Sequence, residues 1–509
     1  MSKLTGWTSI AVLLLLSFGT LAAVLSRAEG LTAISSDDWR VLRFTLWQAS
    51  LSAVISVILA IPLARALARR QFRGRGLLIT LMGAPFILPV IVAILGLLAI
   101  FGRNGLIATI TGLPIQIYGL QGILLAHVFF NLPLATRLIL QGWLAIPAER
   151  FRLAASLGFR PTDIARQIEW PMLRETVPGA FLVIFLICLT SFAVALALGG
   201  GPAATTIELA IYQAFRFDFD LGKAAQLAAL QFLVCGIAGA VALKLALPQV
   251  TSGGLDRAVE RWDARNPWLR AQDAAIIALG ALFLLTPLTM VILRGAAGAF
   301  EMPATVWQAA GRSVFVAIIA TTLCMAMALA LAFWLNTLNR GRLWVEGISL
   351  LAIAASPLVI GTGMFILLFP FVDPTRVVLP ITALVNAAMA LPFALRALVP
   401  AVAQTEAQFG RLADALGMRG FARFRYLYLP RLRRALGFSA GLTAALAMGD
   451  LGVIALFSDP TRATLPLEMY RLMESYRLEA AAGAALLLLA LSLLAFWIFD
   501  KGGRANADA

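Results

Sequence analysis

Residues 151–174 read FRLAASLGFRPTDIARQIEWPMLR, and residues 410–433 read GRLADALGMRGFARFRYLYLPRLR. Laid over each other at a constant offset of 259 (411 minus 152), they share Arg152/Arg411, Leu153/Leu412, Ala154/Ala413, Leu157/Leu416, Gly158/Gly417, Arg160/Arg419, Arg166/Arg425, Pro171/Pro430, Leu173/Leu432 and Arg174/Arg433. Matched polar, glycine and proline positions at one fixed spacing are an internal repeat. Each copy is the most polar, Arg-rich segment of a long apolar half, so it lies in water while its neighbours lie in lipid. Two such loops on one membrane face predict one docking surface built twice.

The rest of the chain agrees. Of its 509 residues 61% are hydrophobic and 13% charged, with a mean hydropathy of +0.89, whereas soluble domains are about half apolar and about a quarter charged. This is the composition of an all-α polytopic membrane protein. The net charge of +15 fits either nucleic acid or a membrane face. The cations sit in loops beside the spans, which favours membrane lipid and argues against nucleic acid. Cys188, Cys235 and Cys324 are scattered through apolar runs without pairing or metal-ligand spacing and read as packing residues. His127, the single histidine, lies inside a span and reads as a hydrogen-bonded helix-packing residue. No cofactor is expected. The apolar run from Leu4 to Leu25 is long enough to be a retained first helix rather than a cleaved signal.

Apolar windows predict twelve spans near 7–26, 45–66, 77–101, 119–143, 177–199 and 223–247, then 272–295, 308–335, 344–371, 377–400, 436–457 and 479–499. The cation-rich loops are 65–76, both repeats, the 248–271 connector and the Arg340/Arg342 turn. They fall on one side, which the positive-inside rule makes cytoplasmic, together with both termini. The duplication extends past the loops: Asn131-Leu-Pro133 aligns with Ala390-Leu-Pro392, Arg137 with Arg396, and Thr206 to Tyr212 with Thr464 to Tyr470 at offset 258. The halves are therefore expected to be parallel repeats of six helices in one orientation.

Within each loop, Ala154-Ala155 and Ala413-Asp414 precede Gly158 and Gly417, a pattern for a short helix ended by a left-handed glycine. A second amphipathic stretch runs to Pro171 and Pro430, where it must stop or bend. Small alanines would let the helix lie against a partner's groove, with Arg152 and Arg411 reaching across to acidic or carbonyl groups. A loop resting on anionic lipid needs charge alone and has no use for a repeated Ala, Gly and Pro register.

These loops resemble the EAA motif of permease subunits in bacterial ABC importers, with Arg152 and Arg411 where the motif's Glu stands and Glu-Trp-Pro171 for its first Leu-Pro ending. Residues 119–141, 199–220 and 448–477 resemble the corresponding stretches of the thiamine/thiamine diphosphate permease family, with iron(III)-type permeases nearby. The resemblance implies a type I importer permease of the bacterial inner membrane. It also implies two copies of an ABC ATP-binding subunit docked on the loops, a periplasmic thiamine-binding protein, and thiamine or its phosphates as the small-molecule substrate. The expected division is 1–40 for the first helix and outer loop, 41–247 and 308–500 for two ABC transmembrane domains, 248–307 for connector and seventh helix, and 501–509 for the tail. None of Lys3, Lys223, Lys244 and Lys501 lies in a G-x-x-x-x-G-K-[ST] phosphate cradle, so the chain is not expected to be the ATP-hydrolysing enzyme itself.

An ion-coupled secondary transporter is the competing class, and it places paired ionisable groups at mid-membrane, where acids are nearly absent here. A polytopic enzyme would need a catalytic constellation. The outer loops 200–222 and 458–478, with Glu208, Asp218, Asp220 and Glu474, are expected to meet the binding protein or to be a solvated rim. Asp450 stands fourteen residues into its window, about 21 Å at 1.5 Å per residue, past the middle of a core about 30 Å thick. Its counterpart at offset 259 is Ser191. Asp450 reads either as a counter-ion for the fixed positive charge of thiamine or as a residue bonding a neighbouring helix.

Overall fold

A mostly apolar chain in lipid must satisfy its backbone internally, and helices do so within each segment. The computed structural model describes residues 3–27, 35–83, 87–112, 115–244, 266–338, 356–457 and 460–504. Most of the connector, the Arg340/Arg342 turn and the first part of the 344–371 window lie outside them. Among the described residues the regular elements are helical. Helix α1 (Lys3–Leu14) passes through a π turn into α2 (Thr20–Arg27), followed by α3 (Ser36–Arg69), α4 (Arg75–Leu81), α5 (Val90–Phe101), α6 (Leu106–Thr111) and α7 (Leu120–Ala145). Next come α8 (Ala148–Ser156), α9 (Pro161–Ile164), α10 (Trp170–Leu189), α11 (Phe192–Leu198), α12 (Ile207–Arg216) and α13 (Leu221–Lys244). Beyond the connector lie α14 (Pro267–Gly298), α15 (Ala304–Thr337), α16 (Pro357–Leu368), α17 (Val378–Ala415), α18 (Gly420–Arg423), α19 (Leu429–Met448), α20 (Gly452–Phe457), α21 (Leu465–Glu474) and α22 (Leu478–Arg504).

Eleven segments of the described residues are long and apolar enough to cross a membrane, and Pro357–Leu368 is a shorter apolar helix. Three predicted windows are broken rather than continuous. The 77–101 window divides into α4 and α5 around Gly83 and Pro89, 177–199 breaks at Thr190-Ser191, and 436–457 breaks at Gly449 to Leu451. Hydropathy averages over composition and does not register where glycine, proline or a short polar residue interrupts the backbone ladder. Interrupted helices of this kind are tolerated in a membrane where they are buried in protein.

Packing repeats along the chain as the sequence does. Helix α3 packs on α7 and both pack on α10, while α15 packs on α17 and both pack on α19. One tertiary hydrogen bond is made twice: Ile207 N–H donates to Thr45 Oγ1 at 2.9 Å, and Leu465 N–H donates to Ser313 Oγ at 2.8 Å. The first helices are exchanged. Helices α1 and α2 lie against α15 and α16, with Trp7 and Trp334 ring centroids 5.2 Å apart, while α14 lies against α3, α5 and α22. At the last contact a Cβ on Gly298 would sit 2.0 Å from Glu479 O. Only small residues permit that backbone approach.

Candidate functional site

The two loops fold alike. Helix α8 ends with Gly158 at φ +68°, its N–H donating to Ala155 O (3.1 Å) and that of Phe159 to Ala154 O (3.0 Å). Helix α17 ends with Gly417 at φ +66°, its N–H donating to Asp414 O (3.0 Å) and that of Met418 to Ala413 O (2.9 Å). Both are Schellman caps, which satisfy carbonyls that a helix end leaves orphaned. Ala154 and Ala413 face inward and are buried, contrary to the expectation that the alanines meet a partner. The outward ridge is instead leucine: Leu153 and Leu157 are each 61% exposed, Leu412 56% and Leu416 63%. Arg152, Ala155 and Arg411 are exposed beside them. Asp414 is exposed but tied to Arg423 at 2.6 Å.

Pro171 and Pro430 do not stop their helices. Each follows a π turn, Ala165–Glu169 in one loop and Phe424–Tyr428 in the other, and lies in the first turn of α10 or α19. A proline removes one donor and crowds the carbonyl a turn earlier, and the wider π turn accommodates both. The two loops differ in how they are held. In the first, buried Glu169 binds Arg65 at 2.7 Å and accepts from Trp143 Nε1 at 3.3 Å. In the second the position of Glu169 is taken by Tyr428, whose ring packs 4.7 Å from Phe333 and whose hydroxyl donates to Glu406. Asp273 on α14, itself buried, receives Arg69 at 2.8 Å and Arg70 at 2.7 Å from α3.

Towards the middle of the molecule the breaks carry the polar groups. Ser191 starts α11 without a side-chain cap. The carbonyls freed just before it are taken by amides from other helices, Gln48 Nε2 to Cys188 O at 3.2 Å and Gln231 Nε2 to Leu189 O at 3.1 Å. His127 packs against Ser52, Nδ1 to Oγ 3.0 Å, and the three cysteines are buried and free. In the second half Asp450 sits in the break itself, not on a continuous helix. Its Oδ1 accepts from Gly452 N–H at 3.2 Å and its Oδ2 is buried without a hydrogen-bond partner. A Cβ on Gly449 would lie 2.9 Å from Pro89, so this break abuts the start of α5 from the other half.

Glu208 departs most from expectation. It is fully buried on α12, not on a solvated rim, while Asp218, Asp220 and Glu474 are exposed. Its Oε1 accepts from Gln231 Nε2 at 3.0 Å. Burial, partly offset by hydrogen bonding to Ser356 and Gln231, pushes its carboxyl up to about 8. Sequence reading missed the pairing of Glu208 with Gln231 and the bond of Gln48 to the same break. The available signal was a glutamine inside each of two apolar runs, where an unpaired amide is costly.

Paired loops with a repeated exposed leucine ridge, on a polytopic helical body with broken central helices, fit the importer permease that the sequence resemblance implies. No family model matches the chain. It is 39% identical over 521 residues to the thiamine transport system permease protein ThiP of Brucella abortus (strain 2308), covering 99% of this chain and 96% of that protein. To ThiP of Escherichia coli (strain K12) it is 40% identical over 480 residues, covering 91% and 89%. ThiP of Haemophilus influenzae is 33% identical over 514 residues, covering 96% and 94%. The chain belongs to the ThiP family of thiamine transport system permease proteins.

Proposed function

We propose that this chain carries thiamine and its phosphates across the bacterial inner membrane, as twelve helices in two parallel six-helix halves with both termini in the cytoplasm. Kinship along nearly the whole length with proteins named for thiamine transport carries this reading. Two ATP-binding subunits dock on the loops, each over a leucine ridge (Leu153/Leu157 or Leu412/Leu416) flanked by Arg152 or Arg411. ATP hydrolysis belongs to those subunits. The outer segments 200–222 and 458–478 receive a periplasmic thiamine-binding protein, and Asp450 and Ser191 face the substrate's path at the two breaks. Asp450 supplies a carboxylate for the fixed positive charge of thiamine.

The test is uptake of labelled thiamine and of ferric iron by cells lacking and then regaining the gene. Restored thiamine uptake with no change in iron is expected. Restored iron uptake alone replaces the substrate with that of an iron(III)-type permease.

A further inference from the structure

Three helices converge with their N-terminal ends on the same region: α12, capped by Thr206, α16, capped by Ser356, and α20, which Asp450 precedes. They pack on one another. Their far ends share an aromatic cluster, Phe215 to Phe365 at 4.7 Å and Phe365 to Phe457 at 5.7 Å. The near ends share polar neighbours. Ser356 hydrogen-bonds Glu208, and the adjoining Pro357 lies 3.5 Å from where a Cβ on Gly452 would stand, beside Asp450. Two carboxylates, one from each half, thus flank a single Ser-Pro step.

Helix N-termini attract anions, but here the acids already occupy that role, and what remains unmatched is oxygen. Glu208 Oε2, Asp450 Oδ2 and Gln231 Oε1 are buried and lack hydrogen-bond partners. The Gln231 amide is oriented by its two donations, to Leu189 O and Glu208 Oε1, so its oxygen is the free end. Leaving such groups unmatched is expensive, and the missing partners are all donors or positive charge. We propose that Glu208, Gln231 and Asp450 form one binding site, at the junction of the halves, for a small organic cation that carries an N–H donor apart from its charge. A cation beside Glu208 favours the ionised carboxylate that burial disfavours. The site rests on the permease reading and deepens it: Glu208 becomes a second substrate-contacting acid, from the half that has Ser191 in place of Asp450.

The test is equilibrium binding to the full-length chain with its ATP-binding subunit in nanodiscs, using labelled thiamine competed by choline, a cation without an N–H donor, and by neutral thiochrome. Glu208→Gln and Asp450→Asn should each weaken thiamine roughly tenfold or more, the loss of one charge-assisted contact. Thiochrome should be unaffected, Glu208→Asp should recover most of the affinity, and Glu301→Gln, at an exposed acid outside both outer segments, should do nothing. Thermal midpoints establish that each variant is folded, and Asp450→Asn carries the test alone should Glu208→Gln not assemble. Wild-type affinity in a folded Glu208→Gln or Asp450→Asn protein overturns the site while leaving thiamine transport standing. Binding of another organic cation through Glu208, with no thiamine binding or uptake, keeps the site and removes thiamine as the substrate. A wild-type chain that binds none of these cations overturns the site.

Discussion

Glu169 and Tyr428 occupy the same position in the two repeats and anchor their loops by opposite chemistry. Glu169 is held by Arg65 and Trp143, while Tyr428 packs edge-to-face on Phe333 and bonds Glu406. Replacing Glu169 with Leu removes a charged acceptor from two donors, which costs about 1–3 kcal/mol. Thermal unfolding in detergent should register that loss as a lowered midpoint. The double change Arg65→Phe with Glu169→Tyr imports the other half's pairing and should recover most of it. A double variant no better than Glu169→Leu would mean that the two anchors are not interchangeable. The repeat was legible in the sequence because Arg, Gly and Pro recur in register. The anchors were not, because Arg65 and Phe333 stand far from the loops they hold and only folding brings them together. For the same reason Glu208 read as an outer-loop acid, meeting the binding protein or lying on a solvated rim: a helix that is short and amphipathic does not reveal in its own sequence which neighbour covers it.

At the scale of the element, the loop helix is defined by its cap and its ridge. Nothing lies within 4 Å of a Cβ placed on Gly158 or Gly417, so substitution there meets only the backbone penalty of a left-handed residue, about 1–2 kcal/mol. Gly417→Val should loosen the end of α17 without disturbing the core. Leu412→Ser with Leu416→Ser should leave the fold unchanged and remove the apolar ridge. On the proposed docking, both variants copurify with less ATP-binding subunit, and the paired serine variant loses most substrate-stimulated ATP hydrolysis. Unaltered copurification in the serine variant would assign the ridge to something other than the ATPase. The helix, the glycine end and the outward arginine were readable from spacing. Which residues face outward was not, since Ala154 and Leu153 are neighbours in sequence and opposite in exposure.

At the scale of the whole molecule, the halves are joined by more than a connector. Asp273 of α14 is buried against Arg69 and Arg70 of α3, and breaking a buried pair of this kind costs about 3–5 kcal/mol. Halves expressed as separate chains, cut within 250–262, should therefore associate in the membrane and copurify. Asp273→Asn should lower the yield of that complex, whereas Arg40→Ala, which loses only an exposed pair with Asp37, should not. Failure of the separated halves to associate would make the connector essential to assembly.

Because α1 and α2 reach α15 and α16 of the second half, and α14 reaches α3 and α5 of the first, while α2 and α14 each also keep the last helix of their own half as a neighbour, the molecule has the topology of a swapped dimer written as one polypeptide. In a swapped dimer of free subunits, like would pair with like, and a mixed assembly would form only as a fraction of the total. Covalent linkage makes the pairing intramolecular, which raises the effective concentration of each half at the other, so each polypeptide brings one of each half. The connector thereby fixes stoichiometry. Under that guarantee Asp450 can stand where the other half has Ser191, and Glu169 where the other half has Tyr428, without any assembly holding two copies of either.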